Sequence, residues 1–301
     1  SIMSLHRYKQ IKDNLYFPTN PECNPLIDAV DYFHFYLERK FKTVYTPEHN
    51  VSIEDCLLNF RCRRKWAQHI PLKHSKYESK YFMLCESDSG YVWSFMKDLG
   101  RRSRIDPEFM NVPGSSKIVM SLMKPLLNKG YCLTLNQRLA TPYVADLLLK
   151  QGTDVYGAMK TINKKLPPNL IPEREMAKGE MLACRKDKLM AMRWKGHKDM
   201  ALLSSIHGTE FGEKELKAGI KVPKLVSDFS QTMKGSNSCI NHISSPFTAS
   251  ATSMKNSRES FFQIFDLALW NAFVLYRKTK PSTSPLDFRM KVIEGLIERY
   301  F

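Results

Sequence analysis

The sequence predicts an α/β fold: a mixed sheet with flanking helices, a β-rich insertion and a helical N-terminal segment. The order of its periodic runs points there first. Three strand-like runs, two of them joined as a hairpin, precede a helix, a strand, a helix and a strand, the sequence of a mixed sheet covered by helices. Composition agrees. The 301 residues are 43% hydrophobic and 11% aromatic, which sets the chain among folded proteins able to build a sizeable core.

Residues 4–16 and 24–42 read as amphipathic helices; in the second, Leu26, Val30, Phe33, Leu37 and Phe41 recur at three- and four-residue steps. Tyr45-Thr46-Pro47 ends that region and leads into extended structure. Val51–Phe60, Tyr81–Glu86 and Tyr91–Lys97 follow as strands, the last two turned by Ser87-Asp88-Ser89-Gly90. Residues 117–129 read as a helix that Gly130 can stop in a left-handed conformation, and Tyr131–Leu135 as a short apolar strand. Thr141 is placed to cap a helix running through Lys150, with Pro142 suited to its first turn, and Val155–Met159 is a further strand.

Asn163–Pro172, rich in Pro, Lys and Asn, reads as a loop. Glu180–Cys184, Lys188–Trp194 and Met200–Ser205 then read as strands of a compact β insertion, with Lys195-Gly196-His197-Lys198 turning the last pair. Residues 236–253 are small and polar, and read as a long exposed loop. Helices at 256–278 and 286–300 close the chain. The organisation expected is a helical N-terminal part over 1–50, a first core segment over 51–162, the β-rich insertion over 163–222 and a C-terminal helical part over 223–301.

The charge balance narrows the partners. Against 30 acidic residues stand 46 basic ones, a net +16 that favours anionic partners, nucleic acid first among them. No membrane association is expected: the apolar run Phe261–Tyr276 is shorter than the roughly 20 residues a span needs and contains Gln263, Asp266 and Asn271. It reads as a helix buried in a large core. Seven cysteines, none in a C-x-x-C pair, point to reduced thiols and give no zinc signature. The start Ser1-Ile2-Met3-Ser4 has no basic-then-apolar leader and reads as the start of a piece excised from a longer protein. Trp66, Trp93, Trp194 and Trp270 lie in apolar patterns and are expected in packing.

Three short segments carry the candidate chemistry: Val51-Ser52-Ile53-Glu54-Asp55-Cys56, Leu133-Thr134-Leu135-Asn136-Gln137 and Met233-Lys234-Gly235-Ser236-Asn237. With Tyr81–Gly100, Lys124–Arg138, Leu189–His207 and Phe261–Arg277 they resemble the piggyBac-type transposase domain, in that family's order and over essentially the whole chain. The resemblance implies an RNase H-like core, a five-stranded mixed sheet with helices, interrupted by a β insertion. It also implies three aspartates, at the positions held here by Glu54, Asn136 and Asn237, with a further acid where this chain has Ile240. In such members these acids converge on two divalent metals that activate a water or a 3′-hydroxyl and stabilise the leaving oxygen.

Those substitutions remove the charge that the chemistry needs. Magnesium-like ions favour near-octahedral oxygen geometry and are held largely by carboxylates. Asparagine keeps an acceptor oxygen and loses the charge. Glu54 is one methylene longer than aspartate, and Asp55, one residue along the strand, should face the other way. The expectation is therefore a non-catalytic core, not an enzyme, with no metal and no cofactor. Without metal, Asn136 and Asn237 should be tolerated better than aspartates, because clustered carboxylates repel. Asp228 reads as a surface or helix-cap residue and His207 as a structural histidine.

The strongest nucleic-acid candidate is the basic stretch Arg61–Lys80, with Arg61, Arg63, Arg64, Lys65, Lys73 and Lys76 as phosphate contacts and Trp66 and Tyr77 available for stacking. Arg101-Arg102-Ser103-Arg104 and Arg185-Lys186-Asp187-Lys188 are weaker candidates. The reading is a transposase-derived nuclear protein that binds DNA or chromatin in a gene-regulatory role, with protein partners engaged through modules outside this stretch. The family's cysteine-rich zinc module has no counterpart in these residues. A protein-interaction scaffold with residual charge is the alternative, and a nuclease using displaced acids such as Asp55 or Asp228 a further one.

Overall fold

The structure, a computed structural model, describes residues 3–15, 29–58, 79–98, 100, 103–160, 167–216, 219–243 and 256–300. Helices α1 (Leu5–Asp13) and α2 (Ala29–Val44) open it. Strands β1 (Asn50–Leu58), β2 (Ser79–Glu86) and β3 (Val92–Lys97) follow, then α3 (Ser116–Met123), β4 (Cys132–Leu135), α4 (Pro142–Lys150) and β5 (Asp154–Met159). Strands β6 (Met181–Lys186), β7 (Leu189–Lys195), β8 (Asp199–Ser204), β9 (Phe211–Leu216) and β10 (Ile220–Pro223) precede the helices α5 (Lys224–Ile243), α6 (Asn256–Thr279) and α7 (Pro285–Tyr300). Among the described residues, strands β1–β8 form one sheet in the order β3-β2-β1-β4-β5-β8-β7-β6, while β9 and β10 pair only with each other.

The first five strands are the mixed sheet that the sequence predicts. β1, β4 and β5 pair in parallel, from Asn50↔Cys132 to Ile53↔Leu135 and from Cys132↔Asp154 to Leu135↔Gly157. Neither face is exposed: Val51, Ile53, Leu133, Leu135 and Val155 are fully buried, and so are Ser52 and Thr134 at the alternate positions. That is the pattern of a central parallel strand covered on both sides. β2 and β3 make the antiparallel hairpin on one flank, from Tyr81↔Lys97 to Cys85↔Val92. Thr141 caps α4 as its position promises, its hydroxyl accepting from the Val144 N–H at 3.2 Å.

Two expectations change. The strands at 181–204 do not form a compact body of their own. β8 pairs antiparallel with β5, Tyr156↔Ser204 through Met159↔Ala201, and β7 and β6 continue outward. β5 would otherwise be a bare edge, and β8 satisfies its backbone groups. The second change lies at 236–253, where the composition predicts a loop. α5 runs through Ile243 without interruption, and 244–255 lie outside the described residues. Its small polar residues sit on a helix whose packing, rather than propensity, decides its state. The hairpin β9–β10 carries no strand pattern visible in the sequence.

Two compact units result. The first holds Tyr45–Cys56 and Lys80–Ser238, which contain the sheet and most of α5. The second holds α1, α2, α6, α7 and the last turn of α5. Inside the second unit Phe33 packs on Phe261 at 4.9 Å between ring centroids, and Trp270, Phe273 and Phe288 are buried together. Phe261–Tyr276 lies within α6, as expected of a buried helix, and among the described residues no helix is long and apolar enough to cross a membrane. Trp93, Trp194 and Trp270 are buried as the sequence suggests, and Trp66 lies outside the described residues.

Candidate functional site

The site forms where the pairing of β1 with β4 runs out. Backbone pairing between them ends at Ile53↔Leu135, so Glu54, Asp55 and Asn136 are the next residues beyond the last paired rung. Asn136 also opens a turn, its carbonyl accepting from the Leu139 and Ala140 N–H groups at 3.1 and 3.0 Å. Its side-chain oxygen accepts from the Arg138 and Leu139 N–H groups at 3.1 and 3.2 Å. With the oxygen held there, the amide nitrogen faces the carboxylates. It donates to Glu54 Oε1 at 2.7 Å and to Asp55 Oδ1. The orientation of this amide is fixed by its partners, two donors on one side and two carboxylates on the other.

Asp55 therefore does not face away from Glu54 as strand alternation suggests. Regular alternation would set the two on opposite faces, yet both carboxylates reach the same amide. Asp55 also carries two cations. Arg138 Nη1 donates to its Oδ2 at 2.8 Å, and Lys80 Nζ lies 3.7 Å from the same oxygen and 3.5 Å from Asp98 Oδ2. Burial pushes the Glu54 carboxyl above its usual range; the Asn136 hydrogen bond opposes this, and the neighbouring Asp55 charge adds to it.

Asn237 is placed differently. It lies exposed on α5 and is not hydrogen-bonded to Glu54 or Asn136; Ile240, three residues on, is partly buried on the same helix. What its segment supplies is contact. Gly235 lets α5 press against the β2–β3 turn: a Cβ there would lie 2.2 Å from the Ser87 carbonyl oxygen and 2.9 Å from the Gly90 nitrogen. Gly90 itself has φ +73°, a left-handed conformation that favours glycine. Hydroxyls complete the attachment. Thr134 on β4 and Tyr156 on β5 both donate to Thr232 Oγ1 on α5, each at 3.1 Å.

Asp228, the other displaced-acid candidate, is engaged away from this cluster. His207 Nε2 and Asp228 Oδ2 are 3.1 Å apart, and His207 Nδ1 lies 2.7 Å from Ser204 Oγ. The Ser204 hydroxyl also accepts from the Ile206 and His207 N–H groups, and the buried histidine ring stands edge-on to Tyr156. His207 is structural as expected, and Asp228, read as a surface or capping residue, is its partner. Arg138, Lys80 and Gly235 lie in segments that the sequence points to, but their parts in this arrangement are not legible there. Arg138 directly follows Asn136-Gln137 inside a recognised segment, but only the fold brings it to Asp55.

The donors do not fit a two-metal clamp. A divalent ion at Glu54 and Asp55 would meet the N–H groups of Asn136 where it needs an oxygen, and the cations on Asp55 where it needs uncompensated negative charge. Among the described residues no three His, Cys, Asp or Glu side chains are grouped to hold a metal ion. Arg61, Arg63, Arg64, Lys65, Lys73 and Lys76 lie outside the described residues, as do Arg101 and Arg102. Of the third basic group, Arg185 Nη2 donates to the His207 carbonyl at 2.9 Å and Lys188 pairs with Asp154 at 2.7 Å.

Comparison with solved structures supports the fold. The chain is similar to the transposase in a cryo-EM structure of a piggyBac transposase synaptic complex with hairpin DNA, with a TM-score of 0.79 and 23% identity. The match covers 96% of this chain and 62% of that one, so the chain spans under two thirds of that transposase's length. Its mixed sheet and flanking helices are thus the RNase H-like fold of that transposase. Residues 1–273 match the family described as Transposase IS4, and the chain belongs to that family.

Proposed function

We propose that this chain is a transposase-derived domain of a nuclear protein that has lost strand cutting and binds DNA or chromatin in a gene-regulatory role. One observation carries the loss of cutting: the Asn136 amide points its hydrogens at Glu54 and Asp55, and Arg138 covers the far oxygen of Asp55. An ancestral aspartate there would add an acceptor; the amide adds donors. Asp55 and Asp228, the acids left to a displaced mechanism, are engaged with Arg138 and His207. DNA binding is supported by the net charge of +16 and by the hairpin DNA held by the structurally similar transposase.

A salt titration of duplex affinity tests this reading. The wild type is expected to bind with little sequence preference. Neutralising Arg63, Arg64 and Lys65 together should weaken binding alike for all sequences and flatten the salt slope by about 0.9 per lost phosphate contact. An unchanged slope moves the DNA surface elsewhere. Manganese-dependent nicking by the wild type would sink the claim of inactivity.

The alternative of a protein-interaction scaffold draws on α7. Leu286, Met290, Ile293, Leu296 and Tyr300 recur along one side of that helix and are exposed. Partner capture that survives high salt, with no DNA binding at low salt, would select this reading.

A further inference from the structure

We propose that the Asn136 amide and the Arg138 guanidinium form a built-in clasp that joins β1 to the end of β4 without metal. The clasp would do structurally what a divalent ion does among clustered carboxylates. Its parts are complete on both sides. The Asn136 oxygen takes two backbone N–H groups and its nitrogen serves two carboxylates, so both ends of the amide are engaged. Each nitrogen contact is a hydrogen bond to an ionisable carboxyl, the stronger kind.

Position makes the network a continuation of the sheet. Backbone pairing stops at Ile53↔Leu135, and the side-chain bonds from Asn136 to Glu54 and Asp55 tie together the residues immediately beyond. Charge closes it. Glu54 and Asp55 bring two carboxylates, and Arg138 and Lys80 bring two cations, with the Asp55 side chain only 8% exposed and the Arg138 guanidinium at 2.8 Å. Removing the amide hydrogens leaves two carboxyls adjoining with one bond fewer each. Replacing the amide by a carboxylate sets three acids around one point.

This inference goes beyond the functional reading. It concerns what holds β1 to the end of β4 and is read in stability without DNA, so a cutting assay and this test can fail separately. The test uses the whole 301-residue chain. Melting temperature is measured at pH 8 in EDTA and in millimolar manganese for wild type, Asn136→Asp and Arg138→Gln. Wild type is expected to melt at the same temperature in both. Asn136→Asp, which keeps the side-chain shape, is expected to melt about 5–15 °C lower in EDTA, from the loss of two charge-assisted hydrogen bonds. Manganese should recover part of that loss, because the third carboxylate turns the clasp into a set of oxygen donors.

A wild type stabilised by manganese, or an Asn136→Asp chain as stable as wild type in EDTA, overturns the proposal. Should Asn136→Asp not fold, Arg138→Gln carries the test, since the arginine side chain is 58% exposed. A melting temperature below wild type in both EDTA and manganese supports the clasp. A melting temperature equal to wild type in both conditions overturns it.

Discussion

Gly235→Ala should destabilise the sheet-bearing unit, although alanine is the better helix former. Glycine inside a helix costs roughly 0.5–1 kcal/mol relative to alanine, so the substitution begins with a gain of that size. Against it stands a collision. The new Cβ would sit 2.2 Å from the Ser87 carbonyl oxygen and 2.9 Å from both the Ser87 carbonyl carbon and the Gly90 nitrogen. All three are backbone atoms, and no rotamer change moves them aside. Ordinary contact requires about 3.4 Å, so α5 and the β2–β3 turn must separate by about 1 Å, loosening the Thr134–Thr232–Tyr156 hydroxyl contacts. Overpacking of this kind costs roughly 1–3 kcal/mol and at times more. With the upper end appropriate to a backbone clash, the net loss is about 2 kcal/mol, or about 4–8 °C for a unit of 150–250 residues. Gly295→Ala is the internal control. That glycine is exposed on α7, none of the described residues comes within 4 Å of the place its new methyl would take, and the substitution should stabilise by roughly 0.5–1 kcal/mol. Thermal melts and urea unfolding of the two variants beside wild type provide the measurement. A Gly235→Ala chain melting at or above wild type would refute the seating of α5 on the turn.

Other consequences follow from the second unit. Asp266 is fully buried on α6 and pairs with Arg289 on α7 at 3.2 Å. Asp266→Ala should cost about 3–5 kcal/mol in urea unfolding, because it strands a largely buried guanidinium; a loss under about 1 kcal/mol would show the pair to be dispensable. His242 titrates below its ordinary 6.5, first because it is buried and then because Arg289 is near, with Asp266 opposing. The unfolded chain therefore takes the proton first as pH falls. The stability this histidine contributes is present above pH 6.5 and is lost as pH drops through its folded value. His242→Gln should flatten the pH dependence of unfolding below 6.5, and an unaltered profile there would exclude the assignment.

The sequence by itself determined most of the strands and helices, though neither α5 nor the β9–β10 hairpin, because burial imposes a period on the others. Val51, Ile53, Leu133, Leu135 and Val155 read as central strands for the reason that they are buried, and Thr141-Pro142 marked a helix start through local hydrogen bonding alone. It also named Glu54, Asn136 and Asn237 as the positions of a family motif. Tertiary structure decided what those positions do. Asp55 joins Glu54 on Asn136 because β4 ends beside them and the Asn136 amide lies within reach of both carboxylates, a placement that no alternating pattern contains. Arg138 and Lys80 reach Asp55 across separations of 83 and 25 residues, distances over which no periodic pattern operates. The insertion strands continue the sheet because β5 has an open edge, a fact about neighbours in space. Gly235 is the clearest case: in the sequence it is a weak helix residue, and in the fold it is the residue small enough for a helix to rest on the backbone of a turn.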